Sequence, residues 1–98
     1  MITSKQRAYL RSLSNSIQPT TNIGKEGVTD KVIESIEETL VNRELIKIKF
    51  LENSGLTSKE AANEIARILN AECVQCIGSK AVLYRKFKEN PQIVLPRK

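Results

Sequence analysis

The chain has no histidine, no tryptophan, two cysteines and only four aromatic residues among its 98 positions. Each shortage closes off a class of function. Without histidine, the usual general base near neutral pH and the commonest metal ligand are missing. Cys73 and Cys76 spell C-x-x-C, but no second such pair completes a tetrahedral metal site. They fall in a strand-like stretch, where residues three apart point to opposite faces, so the two sulfurs are expected to diverge as half-buried thiols. No apolar run is long enough to cross a bilayer. The opening Met1-Ile2-Thr3-Ser4-Lys5-Gln6-Arg7 leads into a polar amphipathic segment rather than a secretory core. We therefore expect a cytoplasmic location, no membrane partner, no small-molecule substrate, no metal and no cofactor.

What the chain does have is segregated positive charge. Residues 1–25 carry a net +4 and residues 80–98 a net +5, whereas residues 26–79 carry −4. An acidic middle between two basic ends suits a molecule that turns one face toward a polyanion. The length fits one domain over residues 1–98, with residues 86–98 as an extended tail. No internal repeat or low-complexity segment is present.

Thr3-Ser4-Lys5-Gln6 has the form of a capping box, and Tyr9, Leu10, Leu13 and Ile17 recur at helical spacing, which predicts a helix over about residues 4–16. Arg7 and Arg11 lie one turn apart, away from the apolar stripe, and are expected to stand free for a ligand. After Pro19, Thr20-Thr21-Asn22-Ile23 reads as a short extended segment that feeds the loop Gly24-Lys25-Glu26-Gly27. Two glycines three apart allow close backbone approach. A helix capped by Thr29 follows at once, so its free N–H groups and dipole make the loop a candidate phosphate seat, with Lys25 adding charge.

The second helix buries Val32, Ile33, Ile36 and Leu40, leaving Glu34, Glu37 and Glu38 as a solvent face. In the strand that follows, residues 44–51, Ile46, Ile48 and Phe50 alternate with Lys47 and Lys49, so one sheet face should be open and cationic. Thr57-Ser58-Lys59-Glu60 opens a third helix that turns Ala61, Ala62, Ile65, Ile68 and Leu69 inward. Residues 73–77 and 81–85 flank Gly78-Ser79, a pair suited to a tight hairpin. The order is α-β-α-β-α-β-β. It implies an α/β domain with a mixed four-stranded sheet and three helices leaning on one face. The segment from Asn90 to Pro96 is at most a brief edge strand.

Four stretches together resemble the YhbY family: residues 5–13, the loop 23–29, the strand 44–49 and the close Ile77-Gly78-Ser79-Lys80-Ala81-Val82-Leu83-Tyr84-Arg85. These proteins are the stand-alone bacterial form of the CRM domain, named for chloroplast RNA splicing and ribosome maturation. The resemblance spans nearly the whole chain. It implies a fold similar to the C-terminal domain of a bacterial translation initiation factor. It also implies an RNA-binding protein that associates with precursors of the large ribosomal subunit. Carried over, the contact surface would be Gly24, Lys25 and Gly27 with Lys5, Arg7 and Arg11; Lys47, Lys49, Lys80 and Arg85 would extend it. Glu26 departs from the pattern, because an acid beside a phosphate repels it. Either it turns outward to a neighbour such as Lys31 or the loop grips more weakly. A G-x-x-G loop also clamps nucleotides in the KH module, where it joins two helices instead of following a strand.

The resulting expectation is a monomeric, non-enzymatic factor that holds ribosomal RNA mainly by its phosphates. With so few rings, base readout should be modest and recognition should follow RNA shape. The alternative is a protein-interaction module that docks on a ribosomal protein or assembly factor, its basic ends merely solvated. A small enzyme using the loop for a phosphorylated metabolite is the weakest reading, since no nucleophile and base pair stands out.

Overall fold

The computed structural model describes residues 2–24, 26–51 and 58–97. Among the described residues seven elements follow in order: α1 (Ser4–Ser14), β1 (Thr21–Ile23), α2 (Asp30–Asn42), β2 (Leu45–Phe50), α3 (Ser58–Leu69), β3 (Glu72–Ile77) and β4 (Lys80–Tyr84). The strands form one sheet in the order β1-β2-β4-β3. β1 runs parallel to β2 through the α2 crossover. The closing β3–β4 hairpin folds back so that β4 lies antiparallel between β2 and β3. This is the α/β arrangement with a mixed four-stranded sheet that the element order implies.

Local chemistry explains where the helices start and stop. Thr3 caps α1 with a full capping box, its side chain accepting from Gln6 N while its own N–H donates to Gln6 Oε1 at 3.0 Å. The helix ends at Ser14, two residues early, because the last turn tightens into i to i+3 bonds such as Ile17 N to Ser14 O at 3.0 Å. Thr29 caps α2 by accepting from Val32 N. The capping box proposed at Thr57 lies outside the described residues. α3 closes on Asn70 at φ 55°, with Ala71 N donating to Ala66 O at 2.8 Å, a Schellman closure. Gly78, at φ 58°, takes the first central position of a two-residue hairpin turn, which its missing Cβ makes inexpensive.

The helices do not lean on one face; they cover both. Along β4, Ala81 and Leu83 join the core with α2 and α3, whose members include Ile36, Leu40, Ala62 and Ile65. Val82 and Tyr84 point the other way, into a second core with Leu10 of α1, Leu45 and Val74. Alternation in a sheet buried on both sides is apolar at every position, and the second apolar set here was too short to read as a covered face. In α3 the buried row is Ala61, Ala62, Ile65, Ala66 and Leu69; Ile68, expected inward, is 47% exposed.

The described residues after Tyr84 form no further strand, yet they are tied to the fold. Glu44, 3% exposed, accepts from three backbone amides of this segment: Phe87 N at 2.8 Å, Gln92 N at 2.7 Å and Ile93 N at 2.7 Å. Three amide donors around one carboxylate balance the cost of burying its charge. Ile93 and Leu95 then pack on the α1 core, and Gln6 Nε2 donates to Pro96 O at 3.0 Å.

Candidate nucleic-acid interface

One end of the molecule gathers the features expected to meet phosphate. β1 and β2 run toward it in parallel, and the 24–27 loop leaves β1 there. Gly27 N donates to Gly24 O at 2.9 Å, closing a four-residue turn, and Gly27 sits at φ 72°. A Cβ on Gly24 would lie 3.4 Å from Leu51 Cδ1, an ordinary van der Waals contact, so the start of the loop lies against the residue that follows β2. The β3–β4 turn reaches the same end, where Phe50 N donates to Ser79 O. Ser58 Oγ donates to Gly78 O at 2.7 Å, bringing the start of α3 alongside. Lys25 lies outside the described residues. Glu26 is exposed and makes no ion pair with Lys31 among the described residues. Asp30 stands at the first position of α2, so an acid already faces that helix end.

Next to the loop, the α1 face of the sheet carries a polar row. The register sets Asn22 beside Lys49, Lys49 opposite Lys80, and Lys80 opposite Ile77. A single row therefore crosses all four strands as Asn22, Lys49, Lys80 and Ile77. Lys47 lies one step behind Lys49 on the same face, and Thr20 N donates to its carbonyl at 2.9 Å. Lys80 is exposed, Lys47 and Lys49 are half-buried, and Ile77 is 66% exposed. Two lysines directly opposite on neighbouring strands repel, their Cβ atoms about 5 Å apart. Such a pair is stabilised by an anion between or above the two ammonium groups.

The arginines divide. Arg7 is half-buried and its Nη1 donates to Cys73 O at 2.5 Å and Val74 O at 2.9 Å. It is not free, as the helical wheel suggested, because β3 is an edge strand with a bulge between Cys73 and Gln75 that leaves these carbonyls for a donor from α1. Arg85 is likewise committed. It pairs with Glu37 and donates from Nη1 to Leu69 O at 3.1 Å, tying α2 to the end of α3 far from the loop. Arg11 and Lys5 are exposed. Gln6 points to the tail and Arg7 to β3, so Arg11, one turn after Arg7, lies on the flank turned from the tail.

The same bulge overturns the expectation that the two sulfurs diverge. The extra residue shifts the alternation, and Cys73 and Cys76 both pack against the α2/α3 core. Burial, with the neighbouring Cys76 second, raises the Cys73 thiol above its ordinary value of 9.0, away from nucleophilic or ligating use at neutral pH. Among the described residues no group of three or more metal-ligating side chains is found. Burial also raises the Tyr84 phenol, with Glu44 adding to the shift.

Residues 2–85 match the CRS1 / YhbY (CRM) domain. The chain belongs to that family. This CRM domain is 41% identical over 96 residues to the "Probable RNA-binding protein YqeI" of Bacillus subtilis, covering 98% of this chain and 100% of the relative. It is 37% identical over 97 residues to an "RNA-binding protein" of Haemophilus influenzae, covering 99% and 97% of the two chains. Its fold superposes with a TM-score of 0.84 on the solution structure of the hypothetical protein SAV1595 from Staphylococcus aureus, at 47% identity over 98% of this chain and 100% of that one. These three proteins are spanned almost end to end.

Proposed function

We propose that the chain binds RNA through its phosphates at the loop end. The grip combines the Gly24–Gly27 turn, Lys25, the row of Asn22, Lys49 and Lys80, Lys47 beside it, and Arg11. The observation that carries this reading is the opposed pair Lys49 and Lys80 on the sheet face beside the glycine loop. The charge falls to the sheet and to Arg11, since Arg7 and Arg85 serve the fold. Family membership and the relatives' names support RNA as the ligand. The resemblance further supports ribosomal RNA of large-subunit precursors as the target, with the chain acting as a monomeric, cytoplasmic, non-enzymatic assembly factor.

Salt dependence tests the grip. With about five phosphates contacted, the slope of log affinity against log salt is expected near −3.5 on single strands and about −4.5 on duplex. A slope near zero would remove the phosphate mechanism.

A second reading has its own observation. At the tail end a groove lined by Leu40, Val41, Ile68, Leu69 and Phe87 leaves Val41 62% exposed and Ile68 47% exposed. Association with ribosomal particles that survives nuclease treatment and is lost on Val41→Asp would favour docking on protein there.

A further inference from the structure

The four aromatic rings occupy places that leave the lysine row without a stacking surface. Phe50 is 4% exposed in the α2/α3 core, and Tyr84 is 4% exposed in the α1 core. Phe87 belongs to the segment held by Glu44 at the tail end. Tyr9 is the most exposed ring, at 39%. It stands roughly 200° around α1 from Arg11 and one turn from Gln6, hence on the flank turned to the tail.

The loop half of this sheet face thus presents three ammonium groups, an amide and an isoleucine, and no ring. Modules that take single strands on an open sheet do so by stacking bases on aromatic side chains placed there. A face of this kind offers charge to phosphates and nothing to the plane of a base. Helical RNA suits it, because a duplex keeps its bases stacked on one another and displays phosphates in a fixed array. The ladder between β2 and β4 fixes the spacing of the Lys49 and Lys80 backbones, so their charges are set out before the ligand arrives.

Resting on the phosphate reading above, we infer that the chain selects helical RNA over single strands. The test titrates the full chain with an RNA duplex of about 16 base pairs and with each separated strand, chosen not to self-pair, in one buffer. The duplex is expected to bind about tenfold more tightly or better. A strand that binds as tightly as the duplex overturns the inference and leaves the phosphate reading standing; absence of binding to either RNA sinks that reading instead. Tyr9→Ala is expected to leave both affinities within about twofold, and a loss of about tenfold or more confined to the single strand would reveal a stacking ring and overturn the inference as well.

Discussion

The two halves of the sheet's α1 face use the same strands in opposite ways. Toward the tail, Leu45 of β2 and Val82 and Tyr84 of β4 lie under α1 and the segment pinned by Glu44. Toward the loop, the same alternating positions carry Lys47, Lys49 and Lys80, of which Lys80 is exposed and the other two half-buried. The difference shows that a strand changes from structural to ligand-facing along its length without changing its pleat. Only the reach of the covering elements decides where the change falls. Stability should therefore be concentrated in the covered half and RNA affinity in the open half, and substitutions can separate the two.

The largest effect should come from the covered half. Glu44→Ala leaves the amides of Phe87, Gln92 and Ile93 without their acceptor. It is expected to cost about 3 kcal/mol in a denaturant melt, while RNA affinity well below the midpoint changes little. Comparable loss of RNA binding at full folding would blur the two halves. Next, Arg7→Ala should cost about 1–2 kcal/mol by removing the donor to the β3 bulge. Arg11→Ala and Lys25→Ala should instead weaken RNA binding with little change in melting temperature. If Arg7 and Arg11 proved interchangeable in both measurements, the division of α1 into a bracing and a ligand-facing arginine would fail.

A smaller effect has the opposite sign. Replacing both Lys49 and Lys80 by Gln relieves a like-charge pair, so the free protein should gain about 0.5 kcal/mol. The same change should lower RNA affinity and reduce the magnitude of the salt slope by about 1.5. A destabilised double variant with unchanged RNA affinity would mean the pair is structural.

The smallest effect is set by pH. Burial raises the Cys73 thiol above its ordinary 9.0, so the folded chain holds a proton that the unfolded chain releases as pH climbs past that value. Stability contributed by this group is complete below about pH 9 and is lost as pH rises through the higher folded value. Tyr84, raised in the same direction, extends the decline upward in pH. Cys73→Ala should flatten the first part of the alkaline decline, as read by melts between about pH 8 and 10. An unaltered profile would show that the thiol is not the group responsible.

Local signals made much of the fold legible in advance. The capping box at Thr3, the cap at Thr29, the Gly78-Ser79 turn and the alternation in β2 each act over a few residues, and each element formed where those residues stand. The errors came from contacts that join distant parts of the chain. No pattern near Cys73 announces the bulge, which depends on pairing with β4, so neither the shared face of the two sulfurs nor the carbonyls awaiting Arg7 could be foreseen. Glu44 gave no local sign of its role, because its partners lie 43 to 49 residues away. Arg85 looked basic and terminal, yet Glu37 and the end of α3 claim it through tertiary proximity. The lysines of the candidate interface were visible as a charged face of one strand. That Lys49 and Lys80 stand opposite each other required the register of β2 with β4.

The most direct measurement maps backbone amide shifts on the labelled chain during titration with an RNA duplex. Binding as proposed should move Asn22, Gly24, Gly27, Lys47, Lys49, Ile77 and Lys80 and leave the tail end still. Shifts confined to Val41, Ile68 and Phe87, with the loop end unmoved, would contradict the assignment of the interface.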